Sequence, residues 1–361
     1  MKKILFLFLI YSGTAAFPAD VDLESILVKY SVPAIGFLKI GEGQSGGEFL
    51  DVRGVRKSGV STPAKPDDLF HLGSCTKAMT ATIIARFVER GLLKWKTPLG
   101  ELFPDLKNEM HPDFRGVPLD ALTAMHSGIA ADLPPEINKT IWDPKLNPRR
   151  GREFVAKTIL SNRPERPPEK SFVYSNSNYI IAAAALERLS GKSWETLIRD
   201  ELFTPLKMAG CGFGVPANPR SKIPNQPWPH KIINGVVTPV TPDFFSDNPP
   251  TTAPAGGVHC ALADWAKFIR LHLAGARGED TLLLKAASFE KLHSPYPTDT
   301  YTYGGWIRLS RPGGFALMHT GSNTFNFADV WIFPGANRAA LSVTSFCRET
   351  RHRRVSRQKL S

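Results

Sequence analysis

Phe70-His71-Leu72-Gly73-Ser74-Cys75-Thr76-Lys77-Ala78-Met79-Thr80-Ala81 is the stretch from which the rest of the chain can be read. Strand-like Phe70-His71-Leu72 runs into Gly73, and a helical pattern starts at Ser74. Met79, Ile83, Phe87 and Val88 recur at helical spacing, and Gly91 is a natural stop. The spacing predicts a deeply buried helix. Positions three apart share a face of its first turn, which brings Ser74 Oγ and Lys77 Nζ within hydrogen-bond reach. A buried lysine has a lowered pKa and can take a proton. That activates a hydroxyl that is otherwise a weak nucleophile. The helix N-terminus also stabilises nearby negative charge. Ser-x-x-Lys recurs at Ser288–Lys291 and Ser356–Lys359, so the tetrapeptide alone decides little. Only Ser74 has the strand and glycine before it and the long apolar helix after it.

Two further motifs follow in order. Tyr174-Ser175-Asn176 is the only Tyr-x-Asn in the chain and lies in a polar loop before a helix pattern that starts at Asn178. Read structurally it is a turn with a capping Asn. Read functionally, Tyr174 relays protons between Ser74 and a leaving group, and Asn176 binds the amide or ester flank of a substrate. His319-Thr320-Gly321 ends a strand near the C-terminus, where Gly321 permits close backbone approach. Here the alternative is an ordinary strand-to-turn exit. In the functional reading this edge lines the substrate, and the backbone N–H groups of Ser74 and Ser322 form an oxyanion hole. Two similar triplets, Lys57-Ser58-Gly59 and His126-Ser127-Gly128, read as structural: the first precedes the nucleophile, and the second sits on a loop of the helical region.

Around these motifs the pattern is strands, then helices, then strands. Ala34–Ile40 and Glu48–Val55 read as strands joined by the Gly41–Gly47 turn. Glu153–Leu160, Asn178–Leu189, Trp194–Leu202 and Leu262–Ala274 read as helices. Ser221–Gly257 is rich in Pro and Asn, lacks periodicity, and has the length of a loop that borders a site. Tyr301–Leu309, Phe315–His319, Phe327–Phe333 and Ala339–Phe346 read as strands, with turns at Gly313-Gly314 and Pro334-Gly335. The fold class that follows is α+β: an antiparallel sheet built from both termini, flanked by helices, with an inserted, mostly helical lobe. The expected boundaries are a catalytic domain at 20–347, its sheet lobe at about 22–73 and 255–347, its helical lobe at about 92–254, and a basic tail at 348–361.

Composition excludes several classes. The 361 residues, 42% hydrophobic and 22% charged, are those of a globular protein. The net charge of +12 falls to +5 for the body once Lys2, Lys3 and the +5 of the tail are set aside. No basic stripe is interleaved with aromatics, so nucleic-acid binding is unsupported. Lys2-Lys3, the apolar Ile4–Tyr11 and the small residues Gly13 to Ala16 read as a signal peptide over 1–16, cleaved near Ala16. Export to the periplasm or beyond is expected. The apolar run is too short to span a membrane. The nine His and four Cys show no zinc spacing, and neither metal nor cofactor is expected. Cys75 should be a small buried thiol, and Cys211, Cys260 and Cys347 leave the disulfide pairing open.

The chain resembles the serine β-lactamase/penicillin-binding family, in its class C-like branch of esterases and D,D-peptidases. The resemblance covers roughly residues 25–345. Beyond the three motifs it rests on LTAMHSGI (Leu122–Ile129), FVYSNSNY (Phe172–Tyr179), LFTPLKM (Leu202–Met208) and PAGGVHCALADWAKF (Pro254–Phe268). It implies a β-lactamase/transpeptidase-like fold, an acyl-enzyme on Ser74, Lys77 as general base and Tyr174 as second acid/base. It implies substrate contacts at Asn176, His319, Thr320 and Gly321. The acyl donor would be a small molecule or peptide, with cell-wall peptides and β-lactams among the candidates. Two positions depart from the family. His319 stands where true β-lactamases commonly carry Lys, and an unperturbed His is mostly neutral at pH 7, which favours ester or peptide-like donors. The tail after Phe346 is too polar for the amphipathic last helix the family leads one to expect. The competing readings are a true class C-like β-lactamase and a non-catalytic penicillin-binding scaffold or sensor.

Overall fold

The computed structural model of the chain describes residues 21–41, 48–217, 225–297 and 299–347. The signal peptide over 1–16, the Gly41–Gly47 turn beyond Gly41, the start of the Ser221 loop and the tail 348–361 lie outside these residues. In chain order the strands are β1 (Ala34–Ile40), β2 (Phe49–Gly54), β3 (Leu69–His71), β4 (Cys211–Phe213), β5 (His230–Ile233), β6 (Val236–Pro239), β7 (Val258–Ala261), β8 (Ile307–Arg311), β9 (Gly314–Ser322), β10 (Phe327–Phe333) and β11 (Arg338–Thr344). Six of them form one antiparallel sheet in the order β2-β1-β11-β10-β9-β8. The first and last strands therefore pair at its centre, Ile35 opposite Thr344 and Ile40 opposite Ala339. This is the α+β, β-lactamase/transpeptidase-like architecture expected from the strand–helix–strand pattern.

Alternation along the strands buries both faces of the sheet. Ile35, Phe37, Ala316, Met318, Trp331 and Phe333 pack under helix α1 (Leu23–Tyr30), which presents Leu23, Ile26 and Leu27. Asp22 caps α1 by accepting from the Ser25 backbone N–H at 3.0 Å. Leu38, Leu317, Val330, Ile332 and Leu341 face the main core, which also contains helix α2 (Thr76–Glu89) and the helix Leu262–Ala276. Every α2 residue from Thr76 to Ala85 is buried. The helix Asn176–Ser190, with its run Ala182–Ala185, is nearly as deep, and small side chains let it lie close to its neighbours. Arg152, in the helix Pro148–Ser161, joins it through a buried ion pair to Glu187 at 2.6 Å and reaches Glu195 at 2.9 Å. Among the described residues no helix is long and apolar enough to cross a membrane.

A second sheet, β3-β7-β4, carries the turn that presents Ser74. Cys211 and Cys260 face each other across β4 and β7 and form a disulfide, while Cys75 is buried as a thiol.

Several local readings need correction. Ser221–Gly257 is not uniformly irregular: β5 and β6 form a hairpin, turned by Asn234 and Gly235 at φ +50° and +83°, as Asn-Gly turns require. The strand read over Tyr301–Leu309 starts only at Ile307, because Gly304-Gly305, with Gly305 at φ +74°, breaks it. Trp194–Leu202 is α-helical only to Ile198 and continues as a π turn, Arg199–Phe203, before Pro205. The helix read from Asn178 starts at Asn176, so the second motif runs into its first turn.

Candidate active site

The nucleophile candidate sits where β3 gives way to helix. Leu72 N–H bonds to the Val258 carbonyl at 2.8 Å, anchoring the strand end to β7. Gly73–Cys75 is one 3₁₀ turn, and α2 follows from Thr76. Gly73 has φ +51°, a conformation costly to any residue with a Cβ. The end of β9 presses against this turn: a Cβ on Gly73 would collide with Ser322 N, and one on Gly321 with the Leu72 carbonyl. The two glycines thus let the first and third motifs touch backbone to backbone, beside both N–H groups proposed from sequence as oxyanion donors.

Lys77 lies one turn into the helix and is fully buried. Its Nζ lies 3.0 Å from Ser74 Oγ, 2.8 Å from Asn176 Oδ1 and 2.7 Å from the Ala255 carbonyl; as an ammonium it can donate to all three, and as a neutral amine it can donate to the last two and accept from the Ser74 hydroxyl. Nζ is also 4.9 Å from the Tyr174 ring centre. Ser74 is partly exposed, Tyr174 is partly exposed and Asn176 is exposed at the start of its helix. Residues separated by about a hundred positions thereby meet around one amine.

The third motif forms the opposite wall. His319 is buried, and its Nδ1 lies 2.6 Å from the Thr320 carbonyl. Nδ1 is therefore assigned the proton, and Nε2 accepts from the Tyr301 hydroxyl at 3.4 Å. Burial, helped by the Lys77 charge, pulls the His319 pKa down to about 3. The imidazole is neutral at pH 7 for a stronger reason than its ordinary pKa. Burial pushes the Tyr301 phenol well above its usual range. Between these walls lies a cavity of about 460 Å³, lined by Ser74, Tyr174, His319, Thr320, Gly321 and Ser322 together with Phe172, Asp299, Tyr301 and others.

All eight residues singled out from sequence therefore converge on one place. Sequence reasoning missed the Ala255 carbonyl, Tyr301 and Asp299. A backbone acceptor has no side-chain signature, although Ala255 falls in the PAGG stretch. The similar triplets lie elsewhere in the hydrogen-bond network. Ser127 Oγ donates to Asn178 Oδ1 at 2.5 Å, and Ser58 N–H bonds to His230 Nε2 at 3.1 Å. Ser288 Oγ bonds to Glu89 at 2.6 Å, and Lys291 to Asp120 at 3.0 Å, so that Ser-x-x-Lys pair is tied up at the surface.

The chain is similar to several known proteins. A model of the beta-lactamase family matches residues 38–355. Penicillin-binding protein 4 of Amycolatopsis lactamdurans is 25% identical over 312 residues, 81% of this chain and 76% of that protein. Protein flp of Staphylococcus aureus is 24% identical over 195 residues, 54% of this chain but only 37% of its own length. Among solved structures, the octameric penicillin-binding protein homologue from Pyrococcus abyssi superposes with a TM-score of 0.73 at 21% identity, over 90% of this chain and 72% of that one.

Proposed function

The chain belongs to the beta-lactamase family, and from that premise we propose that it is an exported serine hydrolase working through a Ser74 acyl-enzyme on an ester, amide or D-amino-acid peptide. The observation that carries the reading is the 3.0 Å contact between Lys77 Nζ and Ser74 Oγ at the wall of the cavity. In acylation the Ser74 oxygen attacks the acyl carbon while its proton passes to the neutral Lys77 amine. Tyr174, beside that amine, hands a proton to the departing alcohol or amine. The oxyanion forms against the N–H groups of Ser74 and Ser322, each such donor being worth about 10² to 10³ in rate. Water then attacks the acyl-enzyme and gives its proton to the same pair, releasing the acid and restoring Ser74. Asn176 and the edge Thr320-Gly321 hold the substrate's polar flank. Export is supported by the signal-peptide pattern over 1–16 and by the Cys211–Cys260 disulfide, a bond that persists in oxidising compartments.

The neutral His319 argues against a β-lactamase in the strict sense, because no fixed cation stands at that position to bind the carboxylate of a β-lactam. A test is hydrolysis of p-nitrophenyl butyrate by the mature protein and by Ser74→Ala, with a cephalosporin run alongside. Turnover of the ester that disappears in the variant supports the reading. Equal rates in both proteins, or none in either, refute it and favour a scaffold. Efficient cephalosporin turnover would restore the β-lactamase reading.

A further inference from the structure

The two N–H groups proposed as oxyanion donors, those of Ser74 and Ser322, come from distant segments. One buried carboxylate from a third segment touches a side chain next to each of them. Asp247 follows the 3₁₀ turn Phe244–Ser246. On one side its Oδ1 accepts from Asn323 Nδ2 at 2.9 Å. Asn323 is buried and directly follows Ser322. Its own Oδ1 accepts from the backbone N–H groups of Phe325 at 3.2 Å and Asn326 at 2.9 Å, and so closes the turn from β9 into β10. On the other side Asp247 Oδ2 lies 3.0 Å from Nε2 of the buried His71, at the end of β3. The other nitrogen of that ring, Nδ1, accepts from the Gly73 N–H at 3.1 Å, which assigns the proton to Nε2. The Nε2–H points off the line to Asp247, so this contact is a close electrostatic one rather than a formed hydrogen bond. The carboxylate is held in its own loop by the Asn248 N–H, 2.7 Å from Oδ1. Trp142, at the end of the helix Pro135–Ile141, packs against Phe244 and Phe245 with ring centres 6.0 Å apart and steadies the 3₁₀ turn.

We propose that Asp247 is a positioning residue for the oxyanion hole, fixing the spacing of the Ser74 and Ser322 N–H groups by engaging His71 and Asn323 at once; this rests on the Ser74 acyl-transfer reading above. The Ser74 turn and the end of β9 meet across Gly73 and Gly321, which have no side chains to lock them together. Close backbone packing stops the two segments from coming nearer but does little to stop them from parting. A side-chain tie through Asp247 resists that separation. A carboxylate suits the role, since its two oxygens take donors from different directions. Donors held in place beforehand need no reorganisation when charge develops on the substrate oxygen. Asp247 itself does not line the cavity, so it acts through its neighbours and not on the substrate.

Asp247→Asn and Asp247→Ala test this. In Asp247→Asn the side-chain oxygen can still accept from Asn323, but an amide NH2 replaces the oxygen that faces His71; Asp247→Ala removes both arms. Single-turnover acylation by p-nitrophenyl butyrate gives a rate constant independent of how much enzyme is folded, and its dependence on ester concentration gives the ester affinity separately. Phenylboronic acid, whose boron takes an electron pair from the Ser74 oxygen to form a tetrahedral anion, reports on the same oxyanion site. Asp247→Ala should acylate about 10- to 100-fold more slowly, up to the cost of a 1 Å misplacement, with ester affinity within about twofold of the parent. Its boronate affinity should fall by a similar factor. Asp247→Asn should lie between Asp247→Ala and the parent. An acylation rate in Asp247→Ala within about twofold of the parent, a loss confined to ester affinity, or a boronate affinity that holds while the rate falls would each overturn the proposal. So would the failure of both variants to melt as folded proteins, because Asp247 would then hold the domain rather than the oxyanion site. Ser74→Ala separates the two levels. Ser74-dependent acylation that is indifferent to Asp247 removes only the positioning role, whereas no Ser74-dependent acylation in the parent removes the hydrolase reading and the positioning role with it.

Discussion

Replacing Gly321 with alanine adds a single methyl group and should disable the site. A Cβ there would overlap the Leu72 carbonyl and stand 2.8 Å from Ser74 N and 3.0 Å from Cys75 N. All three are backbone atoms, so no side chain can rotate out of the way. Restoring ordinary van der Waals separation moves the end of β9 away from the nucleophile turn by roughly 1 Å or more. The movement carries Ser322 N–H away from Ser74 N–H, and misplacement on that scale costs about 10² in rate, comparable to losing one oxyanion donor. Overpacking of this kind also costs about 1–3 kcal/mol in stability. The assay is kcat/KM for p-nitrophenyl butyrate, paired with a thermal melt to show that the variant folds. Gly116→Ala is the control: Gly116 has φ −91° and nothing within 4 Å of a Cβ, so its rate should stay within about twofold of the parent. A folded Gly321→Ala enzyme that keeps its rate within about threefold would refute the claim that this backbone contact builds the site.

Lys77→Met should lower the acylation rate by about 10² to 10⁴, read as the pre-steady-state burst; an unchanged burst would remove Lys77 as the base. Arg152→Met leaves the Glu187 carboxylate buried and unpaired, because both side chains of this ion pair are fully buried. The loss should be about 3–5 kcal/mol in urea denaturation, and a loss under about 1 kcal/mol would contradict the pairing. Stability should also fall with acid. His272 is held well below its ordinary pKa, and His293 and His319 at about 3, chiefly by burial. Unfolded, each titrates near about 6.5, so below that pH the unfolded chain binds more protons, and stability complete above it drains as pH falls toward the folded values. Asp329, raised to about 7 by burial, opposes them: between its unfolded value near 3.8 and about 7, the folded state keeps a proton that the unfolded chain has lost. Burial also lowers the pKa of His259, to about 4, and of His230 and His126. The histidines therefore outnumber the one aspartate, the urea midpoint should drop between about pH 6.5 and 4.5, and a flat or rising midpoint would mean that the histidines are not buried neutral.

How legible each feature was depends on the range over which its cause acts. The nucleophile helix could be read because Met79, Ile83 and Phe87 are periodic within one element and because Ser74 and Lys77 are separated by less than one helical turn. The sheet could be read because β1, β9, β10 and β11 each contain a continuous apolar run. Helix α1 carries a capping Asp22 and apolar spacing at Leu23, Ile26 and Leu27, but eight residues give too short a period to stand out from the sequence directly after the leader pattern. The β5–β6 hairpin was hidden inside a Pro-rich stretch, yet Asn234-Gly235 was a local turn signal. The Cys211–Cys260 pair was a different case: only the register of β4 against β7 brings these cysteines together, and register between distant strands is a tertiary property.

The same distinction governs the site. Residues that do chemistry occupy motifs because bond-making needs fixed distances between particular atoms. Residues that choose among substrates need only line the same cavity, and any loop can supply them. His319 illustrates both cases. Its position in the third motif was legible, but the burial that holds it near pKa 3 comes from Tyr301 and the surrounding packing, and no tripeptide reveals it. Asp299 has no motif at all; it reaches the cavity because the chain breaks at Gly304-Gly305 and folds the preceding segment over Ser74 rather than extending β8. The residues at 319 and 299 thus reach the cavity through packing and loop geometry, which can vary while the three motifs stay the same. Chains with the same three motifs can therefore keep the same contacts around the Ser74 hydroxyl and the Lys77 amine while differing in the walls that surround them.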